Sequence, residues 1–323
     1  MRHTRAWPII VATAAVLLAG CSGTGAPPAD VRGASVQTLA SDQVSAASLM
    51  RDWLKQLYVK RGPLVPGEVH NHEGDHYWGV TATGAVYDYH MADDGSGSGT
   101  WTYPGDLVET DTWTAGTFNA AYTRVFQDAV MEFSNGFKMQ VHWMMDLTSP
   151  YAAQTYKGKA TVPSGQTMNF VWQRDDRRDA VSITLPDHSN LKFGGPLTAV
   201  VGAASWPVFE RGLTGTYTNA GGVAMGLKLT GSSATEQWTT WEMTAAEGMT
   251  ASFALTPGLA TATGELRQNG AVAGNLRWDE ARVGTLDLLG AGSQAVSPTA
   301  AARDFQMDRW VANSSWLAPI PSY

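Results

Sequence analysis

Apolar residues along this chain follow two different periods. Between Ser41 and Gly62 they return every three or four positions, so that Met50, Trp53, Leu54, Leu57 and Tyr58 share one face of a helix. Gly62 and Pro63 supply its stop. After Pro66 the period falls to two, the mark of strands that turn alternate side chains to opposite faces. The clearest case is AVMEFSNGFKMQVHW, residues 129–143. With Ser134-Asn135-Gly136 as a three-residue loop, Phe133 faces Phe137, Met131 faces Met139 and Ala129 faces Val141, while Glu132 lies opposite Lys138 on the other side. Gly136 then takes the left-handed position that closes such a loop.

The same device is expected at Ala82-Thr83-Gly84, pairing Val80 with Val86, and at Gln268-Asn269-Gly270, pairing Leu266 with Val272. A longer loop in AVSITLPDHSNLKF sets Leu185 opposite Leu191 and Ile183 opposite Phe193. Hairpins at this spacing predict a mainly β fold: an antiparallel meander stacked as a sandwich or closed as a barrel, with one N-terminal amphipathic helix. A short C-terminal helix follows Ser297 as N-cap and Pro298 in the first turn. Aromatic and charged residues give way to Gly, Ala and Thr across residues 194–212, which predicts a boundary between a helix-plus-β domain (41–200) and a second β region with a tail (201–323). Echoes such as TATG at 81 and 261 carry no long period.

Composition agrees with that class. Charged residues make up only 16% of the chain, against 34 Gly and 13 Trp, a profile that suits a turn-rich β protein and not a helical bundle. The N-terminus changes the picture further. Arg2 and Arg5 precede an apolar run, residues 9–18, that is too short to span a bilayer as a helix, so residues 1–20 read as a signal peptide. The run ends in Leu18-Ala19-Gly20-Cys21, which resembles the lipobox of bacterial lipoproteins. That resemblance implies cleavage before Cys21, diacylation of its thiol (palmitate among the acyl chains), and a chain exported to the cell envelope and held at a membrane by lipid.

Residues 21–40 are small, polar and Pro-containing, and are expected to form a flexible tether. Cys21 is the single cysteine, so a lipidated Cys21 leaves no disulfide, thiol nucleophile or cysteine metal site. Loss of Arg2 and Arg5 takes the formal charge from −7 to −9, which gives no electrostatic reason to bind nucleic acid. The expected partners are the membrane, through the anchor, and polysaccharide or another envelope protein.

Candidate chemistry concentrates in His70-Asn71-His72-Glu73-Gly74-Asp75-His76-Tyr77-Trp78. His70 and His72 alternate on a strand, and the Ala82-Thr83-Gly84 register sets His76 opposite His90 and Trp78 opposite Asp88. All these histidines have even numbers and are expected on one face, where imidazoles could bind Zn, Cu or Ni. The stretch also looks like the first cupin motif, an HxH with a Glu four residues on, a position that His76 holds here as a possible ligand. The resemblance implies a jelly-roll fold and a metal-dependent enzyme. A different reading rests on Trp101, Trp113, Trp238 and Trp241, which stand in Thr-rich contexts where stacking on sugar rings is open to them. The acid pairs Asp93-Asp94 and Asp175-Asp176 read as a loop before GSGSG and a solvated turn in QRDDRRD; on strands, adjacent residues would point to opposite faces, so neither is expected to act as a dyad. The sequence therefore favours an envelope binding or scaffold lipoprotein without catalysis, with the histidine-metal enzyme and the glycan-binding module as alternatives.

Overall fold

The structure, a computed structural model, describes residues 29–57, 69–80, 84–148, 153–175, 178–196, 212–232, 237–246, 248–256, 261–279, 283–290, 292–307 and 310, with side chains from residue 36 onward except 55–57, 232, 237 and 238. The expected signal peptide, Cys21, Tyr58, Gly62 and Pro63 lie outside these residues. The chain opens with α1 (Ala29–Leu57). Strands β1 (Val69–Glu73), β2 (His76–Val80), β3 (Val86–Met91), β4 (Gly97–Thr102) and β5 (Val108–Trp113) follow, then a two-residue β6 (Thr117–Phe118). Longer strands come next: β7 (Arg124–Phe133), β8 (Lys138–Asp146), β9 (Gln154–Thr161), β10 (Thr167–Arg174), β11 (Arg178–Thr184) and β12 (Asn190–Pro196). The last set is β13 (Leu213–Thr218), β14 (Ala224–Ser232), β15 (Gln237–Ala245), β16 (Met249–Leu255), β17 (Ala262–Gln268), β18 (Ala271–Trp278), β19 (Gly284–Leu288) and β20 (Gly292–Val296), before α2 (Ala300–Asp304).

Every strand pairs antiparallel with its neighbour in sequence, except that β5 reaches past β6 to pair with β7. The result is one 20-stranded antiparallel meander that does not close on itself. Its purely sequential order is not that of a jelly roll, whose Greek keys bring distant strands together, so the fold implied by the cupin resemblance is not the one adopted. Nor does the composition change near residue 200 interrupt the sheet. Strands β12 and β13, on either side of it, pair directly from Asn190↔Thr218 to Gly194↔Thr214.

Six hairpins use one loop. In each, the residue before the loop accepts from the third loop residue and donates to the residue after the loop: Ala92 to Ser96, Tyr103 to Leu107, Phe133 to Phe137, Val162 to Gln166, Leu185 to Ser189 and Asn219 to Val223. The third loop residue is left-handed every time, as at Gly136 (φ 86°) and, without a glycine, at His188 (φ 68°). The second often caps the exit: Asp94, Asn135 and Asp187 accept from the backbone N–H of Ser96, Phe137 and Ser189. The expected pairings of residues 129–143 and Val80↔Val86 are all present.

Two registers differ from expectation. Asp187 tightens the loop after Leu185, so Ile183 pairs with Leu191 and Val181 with Phe193, a slip of two residues that keeps every side chain on its expected face. Asn269 and Gly270, both at positive φ, close a two-residue turn, so Val272 pairs with Arg267; a bulge then restores parity and pairs Leu266 with Gly274.

Helix α1 starts well before Ser41. Residues 29–40, expected as tether, are helical, and Val36, Leu39 and Ala40 are buried at helical spacing. The small residues between them hid the period. From Gln43 to Leu54 every residue is buried, so the expected single apolar stripe becomes burial on all sides. The sheet curls round the helix. Trp53 meets the Phe170 ring of β10 at 5.0 Å, and Val44, Ala47 and Ser48 border a small cavity with Trp241, Leu255 and Trp278 from β15, β16 and β18.

Burying polar side chains demands partners, and the C-terminal segment provides them. Ser45 Oγ accepts from Thr299 N (2.9 Å), Gln306 Nε2 donates to Ser48 Oγ (2.9 Å) and Asp52 Oδ2 accepts from Met307 N (3.0 Å). The N-cap of α2 is Thr299, whose Oγ1 accepts from Ala302 N; Ser297, the expected cap, instead accepts at its carbonyl from Ser41 Oγ.

Glycine and aromatic residues face each other across the strands: Gly79 and Tyr87, Gly99 and Tyr89, Gly97 and Trp113, Gly158 and Phe170, Gly215 and Phe193, Gly264 and Phe253. A Cβ on Gly97 would lie 2.4 Å from the Trp113 ring, and one on Gly158 would lie 1.9 Å from that of Phe170. The missing side chain leaves the ring room to lie over the neighbouring strand.

Candidate functional site

The loop after β1 decides where the histidines go. Gly74 and Asp75 make a two-residue turn, with Glu73 paired to His76 and His72 to Tyr77. An even loop reverses parity across a hairpin, whereas the odd loop between β2 and β3 keeps it, setting His76 opposite His90 and Trp78 opposite Asp88. His70 and His72 therefore share a face with Tyr77, Tyr87 and Tyr89, and His76 and His90 lie on the other side. The four expected ligands do not converge.

On the outer side, His76 and His90 stack with centroids 4.4 Å apart and planes 8° from parallel. His76 also stacks on Trp78 at 4.5 Å, and its Nε2 lies 3.0 Å from Asp88 Oδ1. His90 Nδ1 lies 3.6 Å from Asp75 Oδ2.

The inner side of β1 to β5 carries a different chemistry. One row across the strands reads His72, Tyr77, Tyr89, Gly99, Asp111; the next reads His70, Gly79, Tyr87, Trp101, Glu109. The rows run on into Met131 and Phe133 of β7, which belong to the buried core. The rings touch in series: His72 on Tyr77 (4.3 Å), Tyr77 on Tyr89 (4.9 Å), Tyr87 against Trp101 (5.1 Å) and Tyr89 edge-on to Trp113 (6.1 Å). Tyr77, Tyr89, Trp101 and Trp113 are half-buried and Tyr87 is buried.

Set into this aromatic face are two carboxyls that strand alternation brings to the same side, Glu109 and Asp111. Glu109 is buried and accepts from the Tyr103 hydroxyl. Burial, followed by the charge of Glu109, pushes Asp111 up to about 9; burial also raises Glu109, against the pull of the Tyr103 hydrogen bond. Two such groups side by side retain a proton at neutral pH. The Asp111 carboxyl is held by hydrogen bonds with Glu109 and Trp101, but its Oδ1 and, two residues on, Trp113 Nε1 are buried and have no hydrogen-bond partner among the described residues.

Sequence reasoning missed this pair, having looked for acids at adjacent positions. The available signal was the alternation in Tyr103-Pro-Gly-Asp-Leu-Val-Glu109-Thr-Asp111-Thr-Trp113, which places Glu109, Asp111 and Trp113 on one face. Of the expected stacking residues, Trp101 and Trp113 lie on this face. Trp241 does not: it is 1% exposed, in the core against Trp278. Its place is fixed by Leu229 and Phe253, its partners on either side. The Trp238 side chain is outside the described set.

The arrangement offers ring faces for the C–H surface of a sugar and, between them, a carboxyl pair that holds one proton and an indole N–H for its hydroxyls. No protein-family model and no curated protein matches the chain.

Proposed function

We propose that this chain is a lipid-anchored envelope protein that binds a neutral glycan on the inner face of β1 to β5, without catalysis. The observation that carries the binding reading is the series of half-buried rings with a carboxyl pair set among them, where Asp111 Oδ1 and Trp113 Nε1 have no hydrogen-bond partner among the described residues. Buried polar groups are satisfied in almost all folded proteins, and a sugar hydroxyl both donates and accepts. A face that keeps the Asp111 carboxyl protonated offers a hydroxyl donor beside carboxyl acceptors, the pattern that suits sugar hydroxyls.

Binding to a panel of soluble and insoluble polysaccharides, peptidoglycan included, tests the reading. Trp101→Ala and Trp113→Ala are each expected to weaken binding tenfold or more, because each removes a ring face that the ligand would cover, while the protein stays folded. Trp241→Ala is expected to unfold or strongly destabilise it. Binding to no polymer, or equal loss of fold in all three variants, would leave the rings as packing alone.

The anchor rests on Leu18-Ala19-Gly20-Cys21 after the apolar run. Two acyl chains give the two membrane signals that stable attachment requires. Intact mass of membrane-fraction protein is expected to show a diacylated chain starting at Cys21, and Cys21→Ala to yield an uncleaved precursor. An unmodified mature N-terminus would remove the anchor while leaving the binding face untouched.

A further inference from the structure

We infer that the outer face of the β2–β3 hairpin is a divalent transition-metal site, with His76, His90 and Asp88 as its ligands and Zn²⁺ as the cation its donors suit. Among the described residues this is the one place where donor atoms from three His, Asp or Glu side chains gather, all within 4.8 Å of one another. The register creates it: His76 and His90 are direct cross-strand partners, and Asp88 is the next residue on that face along β3. Two imidazoles and a carboxylate, with a fourth position left to solvent, are a tetrahedral zinc set.

Ligand atoms about 2.0–2.2 Å from zinc stand a little over 3 Å apart. His76 Nε2 and Asp88 Oδ1 already lie at 3.0 Å. His90 closes the rest by rotating its ring, which is 57% exposed and not held in the core. Surrounding groups prepare the site. Trp78 stacks on His76 and fixes its plane, and Asp75 Oδ2 stands 3.6 Å from His90 Nδ1, close enough to take up that N–H and orient the ring once it has turned. Ligation uses the neutral ring, so the proton that His76 Nε2 shares with Asp88 moves to Nδ1 or to solvent and frees both atoms for the cation. The site lies on the face opposite the aromatic rows and stands independently of the glycan reading.

Titration calorimetry of the full chain, purified without an affinity tag and stripped with chelator, would measure Zn²⁺ binding directly. The wild type is expected to take up one equivalent. His76→Ala and His90→Ala should each weaken binding tenfold or more, and Asp88→Asn should weaken it measurably. The deciding control is His72→Ala. It lies four residues from His76 but on the opposite face, so its affinity should equal the wild type's. All four positions are on open strands, and melting of the metal-free variants checks that each is folded. Less than a tenth of an equivalent bound by the wild type would overturn the inference, as would a loss in His72→Ala equal to that in His76→Ala.

Discussion

At the scale of single residues, Asp111 has the most unusual environment. Its carboxyl is raised to about 9 in the folded chain, first by burial and then by Glu109, whereas an unfolded chain releases that proton near the ordinary value of 3.8. Between those limits the folded state holds a proton that the unfolded state does not. Stability must therefore fall as pH rises from about 4 toward 9, the opposite of a salt-bridged acid. Melting temperatures of the wild type and Asp111→Asn between pH 5 and 8.5 check this: the wild type should lose more stability across the range, and parallel curves would show that Asp111 ionises freely. Nothing in the local sequence announces the shift. Alternation shows that Glu109 and Asp111 share a face, but the groups that desolvate them arrive from β3, β4 and β7, whose approach is a property of the sheet.

At the scale of elements, the legible part of the sequence was the odd loop. Asn135-Gly136 between matched strands admits one register that sorts all side chains, and the structure adopts it. The even turns were not legible in the same way. Gly74-Asp75 and Asn269-Gly270 are as rich in turn residues as the three-residue loops, so composition does not separate them, yet one residue more or less reverses which face a strand presents. That single residue sends His70 and His72 to the aromatic side. Strand glycines were read as generic β composition, when each of six has an aromatic ring opposite. Gly158 tests that packing. Alanine there must displace Phe170, a 2%-exposed ring wedged against Trp53, and is expected to cost about 1–3 kcal/mol. Gly226→Ala on β14, where the nearest atom to the new Cβ is 3.8 Å away, should be close to neutral. Thermal melts of the two variants would compare them, and equal melting points would mean that the ring has somewhere else to go.

At the scale of the whole molecule, the helix and the sheet explain each other. The sequence of α1 carries a polar stripe at Ser41, Ser45, Ser48 and Asp52, which a surface helix would turn to water but which this fold turns to the C-terminal segment. It suits a rod enclosed by strands and met by the polar groups of the C-terminal segment. Enclosure was invisible from the sequence because it depends on β18 to β20 and residues 297–307 returning to a helix more than two hundred residues earlier. Strictly neighbour-to-neighbour pairing also has a genetic consequence. Because, among the described strands, β5 to β7 is the one place where the order skips a strand, a duplicated or deleted pair of strands elsewhere would lengthen or shorten the meander without rethreading any other connection. The packing seen for α1 falls on β10 to β20, so those strands are committed to enclosing it. Strands β7 to β9 share that core through Met131, Phe133, Met139 and Val141, so it is in β1 to β5, which carry both the aromatic rows and the histidine cluster, that a gene could gain or lose whole hairpins and keep a folded product.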